Sequence, residues 1–253
     1  MFGFFRQRRR QRLMAQPFPD DFRAHLERNV PYLRKLDDAE RRKLEGLVQV
    51  FLAEKSFEGC GGLELTDEMR VTIAAQACLL VLHRDGDLYP ELASILVYPS
   101  TFRARTVRAE GGVVVEGDQA RLGESARGTV VLAWDDVLHG GRLTHDGHNV
   151  VLHELAHQLD QEDGAADGAP ILDRRSQYGA WARVLGHDYE ELAEAVERHR
   201  KSDLDEYGAT NPAEFFAVVT EAFFERPREL ERKHPALYAQ LREYYRQDPA
   251  RRG

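Results

Sequence analysis

Apolar positions recur with a helical period through the first third of the chain. The clearest run follows Asp37, where Leu44, Leu47, Val48, Phe51 and Leu52 fall at i, i+3, i+4, i+7 and i+8 and so line one face of a helix. Asp37 stands where an N-cap belongs, and Glu40 three residues on completes a capping-box pattern. Gly59, Gly61 and Gly62 break the chain before Thr66, Asp67 and Glu68 open a further helix predicted to run to about His83. With an earlier helical pattern after Pro17 and Pro19, residues 20–90 read as helical, with little strand signal.

From Leu92 the texture changes to short β-branched runs, Ile95 to Tyr98, Val113 to Val115 and Thr129 to Trp134, each bounded by Gly, Pro or charged residues. Beyond Gly147 the helical period returns, with helices predicted at 148–161, 176–200, 211–225 and 228–246. An Asp/Gly-rich loop at 160–169 and the pair Asn211-Pro212 separate them. The expected class is α+β, with no internal repeat.

Composition narrows the possibilities. The 253 residues carry 42% hydrophobic side chains, enough for a substantial core, and a net charge of −8 that argues against a protein living on phosphate backbones. The longest apolar run, within Ile73 to Leu82, is interrupted by Gln76 and falls short of the roughly 18 residues of a membrane span. Cys60 and Cys78 form no CxxC pair, so a disulfide framework and a thiolate metal cage are both excluded. The opening MFGFFRQRRRQR sets its aromatics ahead of five arginines, the reverse of a secretory signal. Residues 1–16 are therefore expected to be a basic flexible tail, with no direct nucleic-acid role, and the protein to be cytoplasmic.

The chemistry sits in His148 to Asp160, which contains His153-Glu154-Leu155-Ala156-His157. Leu152, Leu155, Ala156 and Leu159 define a buried stripe, so this stretch is predicted helical and His153 and His157 stand one turn apart, able to converge on one ion. Glu154 is displaced around the helix from the ligands, in the position of a general base. His145 and His148 lie just upstream and are expected to hydrogen-bond rather than coordinate.

A catalytic zinc usually takes three protein ligands. The H-E-x-x-H-x-x-G-x-x-H pattern fails, because Asp160 and Asp163 stand where it requires Gly and His. Asp163 and Glu214 are the remaining candidates. Glu214 is embedded among Phe215, Phe216, Val218 and Val219, and a buried carboxylate needs a partner charge. Glu221, two turns on, is placed to support a ligand histidine, whereas Glu225 is expected to be exposed or ion-paired.

The runs Gly128 to Leu138, Gly147 to Asp160 and Asn211 to Glu225, with Ile95 to Ser100 and Phe102, resemble the Mlc titration factor A family. The resemblance implies a gluzincin metallopeptidase similar to the anthrax lethal factor catalytic domain. It implies one Zn2+ per chain held by His153, His157 and Glu214, with Glu154 as base and Tyr207 as a phenol facing the metal. A zincin-like catalytic domain over 91–248 would then follow an N-terminal helical domain over 17–90. In zincin folds the strand Thr129 to Trp134 would be the edge that pairs with an extended peptide.

Family likeness further implies aminopeptidase activity and binding of the Mlc transcriptional repressor, linked to the glucose phosphotransferase system. The alternative is a non-catalytic repressor-sequestering protein with a structural or regulatory zinc. The presence of Glu154 favours the peptidase.

Overall fold

The computed structural model describes residues 2–100, 102–110, 113–121, 123–126, 128–142 and 146–252, with side chains for 5–100, 128–142 and 146–252. Helices α1 (Phe2–Met14), α2 (Asp20–Asn29) and α3 (Asp38–Glu54) lead to a short strand β1 (Ser56–Gly59) and then α4 (Asp67–Leu80). The predicted capping box forms at α3, with Asp37 Oδ1 accepting from the Ala39 and Glu40 amides at 2.9 and 2.8 Å and Glu40 accepting from the Asp37 amide. Thr66 caps α4.

Strands β2 (Ser94–Tyr98), β3 (Phe102–Glu110), β4 (Val113–Arg121), β5 (Gly123–Ala126) and β6 (Thr129–Ala133) follow. β3 and β4 form a separate antiparallel pair, and the other four strands form a mixed sheet in the order β1-β2-β6-β5. In that sheet β1, β2 and β6 run parallel, with Ile95 beside Val130 and Val97 beside Leu132, and β5 is antiparallel to β6. Ile95, Val97, Val130 and Leu132 alternate with less buried neighbours and put one face of the sheet into the core. The architecture is α+β and mostly helical.

Two expectations change here. β1 lies within the stretch read as helical: four residues with one large apolar side chain, Phe57, carry no periodic signal, and pairing with β2 makes the strand. β6, expected at the sheet edge, is an interior strand flanked by β2 and β5, so the edge on that side belongs to β5.

The remaining helices are α5 (Trp134–Arg142), α6 (Val150–Asp160), α7 (Tyr178–Glu197), α8 (Pro212–Glu225), α9 (Pro227–Lys233) and α10 (Pro235–Tyr245). Trp134 ends the expected strand by opening α5, whose Gly140 lies so close to α6 that a Cβ would meet the Asn149 Cα at 2.9 Å. The single helix predicted over 228–246 is two, because Pro235 forces His234 out of helical geometry, to φ −128° and ψ 62°.

Helix α8 is buried over nearly its whole length. Phe215, Phe216, Phe223 and Phe224 join Trp181, Tyr244 and Tyr245 in one contiguous core that extends from Phe18 to Ala250. Each such side chain contributes about 1.5–3 kcal/mol by leaving water.

In place of the expected tail, α1 packs along α3. Arg10 grips Glu54 through two hydrogen bonds of 2.8 and 2.6 Å and also pairs with Asp87. Arginines at one-turn spacing reach a common set of carboxylates, which composition alone does not reveal. No helix among the described residues is long and apolar enough to cross a membrane.

Candidate metal centre

Asn149 starts the site. Its side chain caps α6 by accepting from the Leu152 amide at 3.0 Å, and Leu152, Leu155, Ala156 and Leu159 then bury the stripe that orients the helix. His153 and His157 project from adjacent turns on another face, their rings 4.9 Å apart and nearly perpendicular. Glu214 comes from the first turn of α8, where Asn211 caps the helix and Pro212 occupies its first position.

Three ligand atoms converge. Glu214 Oε2 lies 3.0 Å from His153 Nε2 and 3.2 Å from His157 Nε2, and the two Nε2 atoms are 3.2 Å apart. Zinc bonds of about 2.0–2.1 Å set tetrahedral ligand atoms about 3.3–3.4 Å apart, so this triangle, slightly tighter, would have to open by a few tenths of an ångström at most to take such an ion. It is the one group of three or more His, Cys, Asp or Glu side chains among the described residues suited to hold a metal ion. Asp163 is not in it; its carboxylate accepts from the Ala165 amide. His148 pairs with Asp205 at 3.3 Å, in keeping with a hydrogen-bonding role, and His145 lies outside the described residues.

Glu221 supports the centre as its position on α8 suggested. Its Oε1 lies 2.7 Å from His153 Nδ1 and its Oε2 accepts from the Asn149 backbone amide. A carboxylate only accepts, so Nδ1 carries a proton for Glu221; Nε2 faces Glu214, where a metal ion would take the place of a shared proton. Sequence reading missed the next link, in which Asn149 Nδ2 donates to Gln76 on α4 at 2.9 Å and to Glu225 at 3.4 Å. The interruption of an apolar run by Gln76 was its only signal.

Glu225 corrects an expectation. It is neither exposed nor ion-paired but 3% exposed, with Oε2 lacking a partner, because it is the last residue of a helix buried on all sides. Burial raises its pKa to about 8.

Electrostatics divide the site. Burial opposes charge on His153, but its hydrogen bonds to Glu214 and Glu221 outweigh that and raise its pKa to about 10. Burial likewise opposes ionisation of Glu214, yet the two histidines hold its carboxyl down at about 2. Glu154 goes the other way: burial, reinforced by the charges of Glu214 and Glu221, lifts it to about 8 against the pull of His153. Its side chain is 5% exposed by residue, and Oε2 has no hydrogen-bond partner.

Glu154 borders a cleft of about 450 Å³ shared with His153, Tyr207 and Val218. Tyr207 sits in the short 3₁₀ turn Glu206–Ala209, its ring centroid 6.0 Å from that of His153. Burial, the charges of Glu214 and Glu154, and a hydrogen bond with Glu214 raise the phenol's pKa. Asp205, another residue the sequence reading passed over, accepts from the Tyr207 amide at 2.8 Å. An Asp two residues before the tyrosine was the available sign of this turn.

A largely enclosed His-His-Glu triangle beside a buried carboxylate is a group that could hold a metal ion. The sequence profile of the family described as glucose-regulated metallo-peptidase M90 matches residues 5–246, and the chain belongs to that family. Among its relatives, uncharacterized protein slr2042 of Synechocystis sp. is 44% identical over 244 residues, covering 95% of this chain and 89% of the relative. Mlc titration factor A of Yersinia pestis and of Yersinia pseudotuberculosis is 33% identical over 233 residues, covering 90% of this chain and 85% of theirs.

Proposed function

We propose that the protein is a zinc-dependent peptidase with aminopeptidase specificity, using His153, His157 and Glu214 as ligands, one ion per chain, in a zincin-like catalytic domain over 91–248. The observation that carries this reading is the His153, His157 and Glu214 triangle beside the Glu154 carboxyl, whose Oε2 has no hydrogen-bond partner among the described residues, with His153 and Glu154 lining one cleft. Zinc held there supplies Lewis acidity to a water and to a scissile carbonyl. Glu154 accepts the proton of the attacking water as the new C–O bond forms and returns it to the departing amine as the C–N bond breaks. Tyr207 donates its hydroxyl hydrogen to the oxyanion of the tetrahedral adduct, a contribution of about 2.7–4 kcal/mol where such donors have been removed. Glu221 keeps His153 in the tautomer that coordinates.

The test is Glu154→Gln, assayed for zinc content and for cleavage of unblocked and N-blocked chromogenic peptides. Retained zinc with cleavage of the unblocked peptide reduced at least a hundredfold is expected. Full activity in that variant would refute the assignment.

A second role is supported by the relatives named for titration of Mlc. We infer that this chain, in the cytoplasm, also binds a repressor of the Mlc type. Binding that persists in Glu154→Gln would separate this role from catalysis; zinc content without cleavage of any peptide would leave repressor capture as the function.

A further inference from the structure

The tyrosine of the cleft is carried by a segment anchored both by apolar packing and by an ionic link. Helix α7 ends where His199 turns into left-handed geometry at φ 52°, and the chain then runs irregularly to the turn that holds Tyr207. Tyr207 is 54% exposed, so beyond its approach to His153 and Glu214 its position depends on its chain neighbours. Leu204 is buried, and Gly208 lies where a Cβ would meet Leu192 at 3.2 Å and Val218 at 3.4 Å.

Asp203 makes an ionic link as well. Its Oδ2 is 3.1 Å from His234 Nε2, and its carbonyl accepts from Arg226 at 3.1 Å. His234 Nδ1 in turn meets Asp188 Oδ1, on α7, at 2.5 Å. One imidazole at the junction of α9 and α10 therefore joins two carboxylates, one buried on α7 and one on the tyrosine segment.

Both carboxylates only accept, so satisfying both requires a proton on each ring nitrogen, that is, an imidazolium. The groups facing it are Asp188 from α7, Asp203 from the segment and Lys233 from α9, whose Nζ is 3.7 Å from the same Asp203 oxygen but 3.0 Å from Glu229. The hydrogen bond to Asp188, opposed by burial and supported by both negative charges, raises the pKa of His234 above the usual histidine value. A neutral ring keeps one N–H and can donate to only one of the two carboxylates, and an absent ring to neither, so in both cases the tie between Asp188 and Asp203 is cut.

We propose that His234 is a positioning residue for Tyr207: by tying Asp203 to Asp188 it holds the segment that presents the phenol to the cleft. The proposal rests on Tyr207 acting as the oxyanion donor.

The test is a double-mutant cycle on zinc-loaded protein, with His234→Gln, Tyr207→Phe and the double variant, alongside amide hydrogen exchange of residues 201–208. Asp203→Asn serves as a second disruption of the same link. Each clamp variant should lower kcat about tenfold or more with KM and zinc content retained, and cost nothing further in the Tyr207→Phe background. Exchange over 201–208 should quicken in the clamp variants. In the wild type, protection should be present below the raised pKa of His234 and decline as pH rises through it, a dependence His234→Gln should lack. Equal losses of kcat with and without Tyr207, or unaltered exchange over 201–208, overturn the proposal. Wild-type kcat in Tyr207→Phe instead refutes the role of Tyr207 itself.

Discussion

The histidine-glutamate triangle and the tyrosine beside it are built differently. In the triangle that could hold a metal, His153, His157 and Glu214 expose only 14%, 11% and 18% of their side chains and stand on helices whose other faces form the core. Tyr207, beside it, is half exposed on a single 3₁₀ turn, held through Asp203, Asp205 and His234. Three ligand atoms must keep tenths of an ångström to coordinate one ion, which demands rigid packing. A hydrogen-bond donor needed only as charge develops tolerates a looser support and can adjust to an arriving peptide.

Removing a ligand should break this contrast most severely. His157→Ala or Glu214→Ala should abolish stoichiometric zinc in elemental analysis and all chelator-sensitive cleavage, whereas Tyr207→Phe should keep its zinc. The same Tyr207→Phe protein should lose about 10²- to 10³-fold in kcat, the usual scale for one oxyanion donor. A variant that also lost zinc would show the triangle and the tyrosine to be one unit.

Smaller effects sharpen the picture around the triangle. Glu221→Gln should weaken zinc affinity about 10–100-fold in a chelator competition, by removing the carboxylate that sets the His153 tautomer. The smallest effect concerns Glu225. Its carboxyl is raised from 4.5 to about 8 in the folded chain, so ionisation opposes folding increasingly as pH climbs from 4.5 to 8. Glu225→Gln, which keeps the acceptor for Asn149, should therefore melt higher at pH 8 and be indistinguishable at pH 4.5. A gain of about 1 kcal/mol would appear as about 2–4 °C in a chain of this size.

Local signals and long-range ones separated cleanly in this chain. The capping box at Asp37, the break at Asn211-Pro212 and the stripe of Leu152, Leu155, Ala156 and Leu159 were legible because each is complete within a few residues. β1, the interior position of β6 and the helix at residues 2–14 were not, since each depends on a partner far away in the chain. Glu225 was misread because a helix that ends in a carboxylate ordinarily faces water, and only the packing of α8 shows that this one does not.

By itself the sequence determined that a helix would set two histidines one turn apart with a glutamate beside the first, because helical period and side-chain chemistry are local. It also left two third-ligand candidates, Asp163 and Glu214, on the residues alone. Only the tertiary structure brought Glu214 Oε2 to 3.0 and 3.2 Å from the two imidazoles, ran Asn149 from Glu221 to Gln76, and bridged Asp188 to Asp203 through His234. Those meetings join segments dozens of residues apart, and what sets them is how the helices bury their apolar faces together rather than any spacing along the chain.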